Sequence, residues 1–273
     1  MGTITKRLRD GHSHLYEDIG AGFDTTKLYA GFDILEGFPP AFDIGILFEN
    51  YIGQTVNSEI NYMWNADSSD IIAIYGSLPQ DRDISYIWIP SWSIDMSDEQ
   101  IDGIFSSFAS SKGLIVDQRQ NGGGDPALST KFGSYFMDSP TYTGFERFKT
   151  GPGKLDFADS HSTVQPAESD FRYLKPVVVL TDRGCYSATT TFAYTVNPLP
   201  QVTFIGQRTG GGSGSVAEGF LANGWAWALS TSEFIDHEGR HLDDGFDPDI
   251  PVLLDTADRS KDELVERAIM ELQ

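Results

Sequence analysis

Three consecutive glycines close the stretch Gly113-Leu-Ile-Val-Asp-Gln-Arg-Gln-Asn-Gly-Gly-Gly124, and no other feature constrains this chain as much. An apolar, strand-like run breaks there into a polar turn, and three glycines in a row weaken any strand or helix they enter. What they offer is bare backbone, with N–H groups that a reacting oxygen can approach closely. Further on, a second buried-type strand, Pro176 to Leu180, runs into Thr181-Asp-Arg-Gly-Cys-Tyr-Ser187-Ala-Thr. That places a hydroxyl at the first turn of an expected helix. A glycine-rich donor loop and a serine at a strand-to-helix turn together point to acyl transfer.

Around these two segments the apolar periodicity alternates between strand and helix. Ile84-Ser-Tyr-Ile-Trp-Ile-Pro reads as a strand, and Ser97-Asp-Glu-Gln opens a helix over Ile101, Ile104, Phe105 and Phe108 with capping-box spacing. Leu114–Val116 is a strand and Pro126–Met137 a helix with Pro in its first turn. Val177–Leu180 is a strand followed by a helix over Ser187–Val196, and Val202–Ile205 and Trp225–Leu229 are strands. A last helix starts at Ser260, with Glu263 completing a second capping box and Leu264, Val265, Ala268, Ile269 and Leu272 on its buried stripe. Residues 3–10 read as the end of a helix stopped by Gly11. Residues 14–80 mix short strands with one helix near Phe42–Tyr51. The segment 138–172 shows little periodicity and reads as an insertion over a sheet edge. Strands alternating with helices of this length indicate ββα or βαβ units and a largely parallel sheet.

Composition narrows the function classes. The formal charge of −21 argues against a basic surface for nucleic acid or an anionic membrane. With 18 Phe, 11 Tyr and 5 Trp in 273 residues the chain can bury a sizeable core. The single cysteine, Cys185, excludes an internal disulfide, and no Cys and His cluster has zinc-site spacing. No apolar run approaches the ~20 residues of a membrane span. Met1 to Asp10 is too polar for a signal peptide, and Gly2 followed by Lys6 is no myristoylation signal. Met-Gly ahead of what reads as mid-helix leads us to expect a natural N-terminus further upstream.

Ser187 is the candidate nucleophile, although serine is also a favoured helix N-cap, and position alone leaves that role open. At a helix N-terminus the N–H of Ala188 can serve a developing oxyanion, with Gly123 or Gly124 as second donor. The candidate bases are His12, His14, His161, His237 and His241. His12, in Asp10-Gly-His12-Ser-His, follows a helix that ends at glycine, a place able to aim a ring into a cleft. His161 lies in the insertion, and His237 and His241 in a charged turn. On sequence alone each also fits a surface histidine. The His-x-His pair lacks an evident third metal ligand. Gln207-Arg-Thr-Gly-Gly-Gly-Ser-Gly214 lacks the Gly-Lys-Ser/Thr ending of a phosphate loop and reads as a flexible loop beside a cleft.

Four segments, Gly113–Gly124, Lys175–Thr189, Ile205–Gly212 and Gly245-Phe-Asp-Pro-Asp-Ile-Pro-Val252, resemble consecutive blocks of the C-terminal processing (tail-specific) peptidases. The resemblance runs over roughly 84–272 in the family's order. It implies an α/β catalytic domain of the ClpP/crotonase-like ββα class over 81–273, with the insertion at about 138–172 and a smaller mixed region over 1–80. It implies Ser187 as nucleophile, an oxyanion hole from Ala188 and the third glycine, Gly124, and no metal or cofactor. Its implied partner is a peptide or protein substrate. The implied location is exported, periplasmic or membrane-anchored.

Two departures from the family pattern matter. The loop that carries a lysine base in the Ser–Lys branch holds only Gly210, Gly211, Gly212 and Ser213 here, so a lysine dyad is not supported. The chain instead resembles the branch typified by tricorn protease, with His12 as base and an acidic residue just before Gly245. Asp243 and Asp244 both fit that position, with Glu238 a distant third. No Gly-Leu-Gly-Phe-like carboxylate loop marks a PDZ module in 14–80, so strand addition beside the site is the expected mode of substrate capture. The rival reading is a non-catalytic binder of peptides or hydrophobic ligands on the same scaffold, as in the interphotoreceptor retinoid-binding modules.

Overall fold

In the computed structural model the described residues are 10–16, 28–30, 35 and 37–273. The helix end expected over 3–10 lies outside them, Asp10 apart. Along the chain, β1 (His14–Tyr16) and β2 (Leu28–Ala30) precede α1 (Ile44–Leu47), which continues as wider turns over Phe48–Ile52. Next come β3 (Ile60–Trp64), β4 (Ile71–Ser77), β5 (Ile84–Trp88), α2 (Asp98–Ser107), β6 (Gly113–Asp117) and α3 (Pro126–Ser134). A hairpin of β7 (Thr141–Lys149) and β8 (Phe157–Val164) leads to β9 (Val177–Thr181), α4 (Ala188–Val196) and β10 (Val202–Gly206). The chain finishes with β11 (Val216–Phe220), β12 (Ala226–Ser230), β13 (Ser232–Asp236), β14 (Ile250–Pro251) and α5 (Glu263–Leu272).

Seven strands form the main sheet in the order β14-β10-β9-β6-β5-β4-β3. Pairing is parallel from β14 to β5 and antiparallel at β4 and β3. The expected boundary near residue 80 thus falls between two hydrogen-bonded neighbours, β4 and β5. Every residue of β6 and β9 is buried, as strands covered on both faces must be. Alternate side chains go to opposite layers. Leu114, Val116, Val177 and Val179 join Trp92, Phe105, Phe132 and Phe192 of the α2–α3–α4 layer. Ile115, Val178 and Leu180 meet Tyr51, Leu264 and Ala268 of the α1–α5 layer.

The helix caps follow from local chemistry, with one change from expectation. Ser97 and Gln100 form the expected capping box on α2. The last helix starts at Glu263, not Ser260, because Asp262 accepts hydrogen bonds from the backbone N–H groups of Leu264 and Val265. Its buried residues Leu264, Val265, Ala268 and Ile269 are those of the expected stripe. The segment 138–172 carries two long strands, and β7 also pairs with β13 in a three-stranded sheet. Finally, β1 pairs antiparallel with β12 in a four-stranded sheet of order β11-β12-β1-β2, which anchors the N-terminal segment to the C-terminal half.

Candidate active site

β6 and β9 are parallel neighbours in register, Val116 beside Val179 and Asp117 beside Leu180, so the loops leaving their C-terminal ends share one edge of the sheet. In open α/β sheets that edge is where ligands bind. After β6 the chain enters a buried polar turn. Asp117, Gln118, Arg119 and Asn121 are all 0% exposed. Arg119 is held by Asp117 at 2.5 Å and by Asp262, the cap of α5, at 2.8 Å. Asn121 donates to the Ile89 carbonyl (2.9 Å) and accepts from the Gly123 N–H (2.9 Å).

The triple glycine then passes against the serine turn. Gly123 adopts φ +107°, and a Cβ there would lie 2.7 Å from the Ser187 Cβ. Backbone this close to another side chain requires glycine. With the Gly123 N–H taken by Asn121, the N–H groups of Gly124 and Ala188 carry no hydrogen bond among the described residues. Gly124 is exposed, open to an incoming oxygen, whereas Ala188 is 2% exposed at the first position of α4.

Ser187 itself has φ +55° and ψ −120°, an uncommon conformation for a residue with a side chain. It occupies the cap position of α4, yet its hydroxyl makes no capping bond. The turn is pinned from below. The Ser187 N–H donates to the Gly211 carbonyl (2.9 Å), as does the Thr190 hydroxyl (2.8 Å), and the Tyr186 N–H donates to the Asn121 carbonyl (3.1 Å). The loop Thr209–Gly214 is therefore a buried clamp rather than the flexible loop expected from its glycines. Its glycines are needed because the Tyr186 ring and the Asp243 backbone pack directly on Gly212 and Gly211.

His12 reaches the same point from 175 residues away, its Nε2 lying 3.2 Å from the Ser187 Oγ. With Nδ1 protonated, the serine hydroxyl donates to Nε2. The imidazole packs against the Tyr186 ring with centroids 4.8 Å apart. Asp10 holds the segment by accepting from the His12 N–H (3.0 Å), the Ser13 hydroxyl (2.6 Å) and the Tyr186 hydroxyl (3.2 Å). Burial lowers the pKa of His12, the Asp10 charge opposes this, and His14 reinforces it, leaving a base below the ordinary imidazole value. His161 instead meets the Tyr142 hydroxyl (2.9 Å), His241 pairs with Glu233 (2.9 Å) and His237 approaches Asn197.

Among the described residues, no hydrogen bond joins the expected acids to His12. Asp243 accepts from the Ser213 N–H (3.1 Å), the Ser213 hydroxyl (2.7 Å) and the Gly214 N–H (3.2 Å). Burial pushes its pKa up, partly offset by Ser213. Asp244 presents its backbone carbonyl to Arg208 at 3.0 Å. Glu238 pairs with Arg240 at 3.1 Å on the surface. Sequence reasoning passed over Asp10, Tyr186 and Asn121. Asp10, two residues before the histidine, is the one with a readable signal, since an aspartate commonly accepts from the N–H two positions on. One cavity of about 680 Å³ is bordered by Asp10, Asp243 and Lys149, and another of about 500 Å³ by Ala127, Thr191 and Phe234.

The sheet with its flanking helices, and a serine at the turn into α4 beside a triple glycine, are those of a ClpP/crotonase-like α/β serine hydrolase. Residues 83–252 match the model of Peptidase family S41; the chain belongs to that family and is a serine peptidase. A candidate peptidase from Parabacteroides merdae superposes with a TM-score of 0.85 at 31% identity, covering 99% of this chain and 80% of that one. Mature CPAF shares the fold at a TM-score of 0.61 and 16% identity, covering 78% of this chain and 54% of its own, so this chain spans about half the length of that relative. A lipoprotein from Streptococcus agalactiae aligns with a TM-score of 0.51 at 20% identity, over 77% of this chain and 76% of that one. Comparison with curated proteins finds no match.

Proposed function

We propose that this serine peptidase is an endopeptidase that cleaves peptide or protein substrates through an acyl-enzyme on Ser187, with His12 as general base. The 3.2 Å contact between His12 Nε2 and Ser187 Oγ carries this reading. The Ser187 oxygen attacks the scissile carbonyl carbon and its proton passes to His12 Nε2. The carbonyl electron pair moves onto oxygen, where the N–H groups of Ala188 and Gly124 receive it, each good donor contributing roughly 3–4 kcal/mol. Collapse of the tetrahedral intermediate expels the amine, which takes the proton from His12. Water then repeats the sequence on the ester.

The non-catalytic binding reading requires a histidine distant from the serine, and the contact favours the enzyme over it. Cleavage near C-termini and export to the periplasm or membrane surface are what the family resemblance implies, and we include both in the proposal. No described helix is long and apolar enough to cross a membrane. The test is turnover of an unfolded protein such as casein, followed by peptide mapping. Cleavage that disappears in Ser187→Ala and His12→Ala is the expected result; undiminished cleavage in either variant would overturn the assignment.

A further inference from the structure

Building on the peptidase reading, we propose that Asp10 is the carboxylate that positions His12 and stabilises its protonated form, the part otherwise assigned to Asp243 or Asp244. Asp10 grips both sides of the reacting pair. On the histidine side its Oδ1 accepts from the His12 backbone N–H at 3.0 Å, and its Oδ2 from the Ser13 hydroxyl at 2.6 Å. On the serine side Oδ1 accepts from the hydroxyl of Tyr186, the residue before the nucleophile, at 3.2 Å. The Tyr186 ring in turn packs on the imidazole. One side chain thus ties a segment of the small sheet to the turn that leaves the large one, and the 3.2 Å contact lies between the two anchor points.

The electrostatics agree with the geometry. Burial pushes Asp10 up, but the bonds from Ser13, the His12 N–H and Ser230 together hold it below the usual carboxylate range, so it stays ionised. The titratable groups acting on His12 are Asp10, which favours the imidazolium, and His14, which opposes it; Tyr186 lies against the ring, its own pKa raised. Asp243 is not among the groups that act on His12. Its carboxylate is occupied by Ser213 and Gly214, and the charges of Asp10 and Glu233 push its pKa further up. The His12 Nδ1, where an orienting acid would bond, is buried without a hydrogen-bond partner among the described residues. The anion therefore acts through the backbone, through Tyr186 and through space, while Asp243 clamps the glycine loop beneath Ser187. Asp10 is a positioning residue and takes no proton in the reaction.

The experiment is the rate of Ser187 labelling by a fluorophosphonate probe as a function of pH, with thermal melting as the check on folding. Asp10→Asn is expected to slow labelling about tenfold or more at the plateau and to move the acid limb to lower pH, because the imidazolium loses its neighbouring anion. A merely structural role would lower the rate and leave the limb in place. Asp10→Glu, which keeps the charge, is expected to return the limb toward its wild-type position. Asp243→Asn is expected to slow labelling without moving the limb. An Asp10→Asn limb superimposable on wild type, or a limb that shifts in Asp243→Asn, overturns the proposal. The second arm decides even if Asp10→Asn does not fold. A wild-type chain that never labels overturns the peptidase reading itself, and is distinguished in that way from a failure of Asp10 alone.

Discussion

Ser187 holds a backbone conformation that an ordinary helix cap does not need, with φ +55° and a hydroxyl left out of capping. Strain of this kind, on the order of 1–3 kcal/mol, persists only where surrounding contacts over-determine it. Here the Gly211 carbonyl, the Asn121 carbonyl and the Gly123 backbone do so. A methyl group at position 123 would meet the Ser187 Cβ at 2.7 Å from a backbone at φ +107°. Gly123→Ala is therefore expected to displace the nucleophile and slow acylation about 100-fold, with the change confined to kcat when KM is measured alongside. The acid limb of the pH–rate profile belongs to this scale too. Burial lowers the His12 pKa in the folded chain, so activity should rise with an apparent pKa below the ordinary ~6.5 of histidine. A limb at or above that value would contradict the burial argument.

Among the elements, the parallel core strands and their helices were legible because each is an apolar run with one clear period. Leu114–Val116 and Val177–Leu180 lie within fully buried strands, and the Ser97 capping box lies where its spacing puts it. The strands β7 and β8 were not legible. Their burial patterns follow no simple alternation, because both lie in a small three-stranded sheet with β13, outside the main sheet, where β8 is an exposed edge. The start of α5 was misread because two capping residues compete, and the deciding factor is tertiary. Asp262 is buried against Arg119, which no local pattern reveals. Within the candidate site, Ser187, the glycine loop and His12 were proposed from local sequence and family resemblance, whereas the contact of Asp10 with Tyr186 joins residues 176 apart, beyond the reach of any local pattern. Replacing Arg119 by Ala strands two buried carboxylates and should cost about 3–5 kcal/mol of stability, measurable as a lowered urea midpoint. A loss below about 1 kcal/mol would mean that the buried ion cluster does not hold the loop to α5.

At the scale of the whole molecule, the proposed base and nucleophile come from segments joined to different sheets. His12 lies two residues before β1 of the four-stranded sheet, while Ser187 caps α4 on the turn that follows β9 of the seven-stranded one. The main sheet and its two apolar layers do not use β1. Removing residues 1–16 should therefore leave a cooperatively melting domain with a parallel-sheet circular dichroism spectrum and no hydrolytic activity. Loss of cooperative melting would show that the N-terminal segment is structural as well. The strongly acidic surface, −21 overall, predicts faster cleavage of basic than of acidic peptides at low salt, a difference that shrinks as ionic strength rises.

Covalent capture of the serine puts the main conclusion to the most direct test. Intact protein incubated with a fluorophosphonate and mapped by mass spectrometry should carry the adduct on Ser187, with His12→Ala labelling about 100-fold or more slowly and Ser187→Ala not at all. An adduct on another residue, or a His12→Ala chain that labels as fast as wild type, would contradict the pairing of this histidine with this serine.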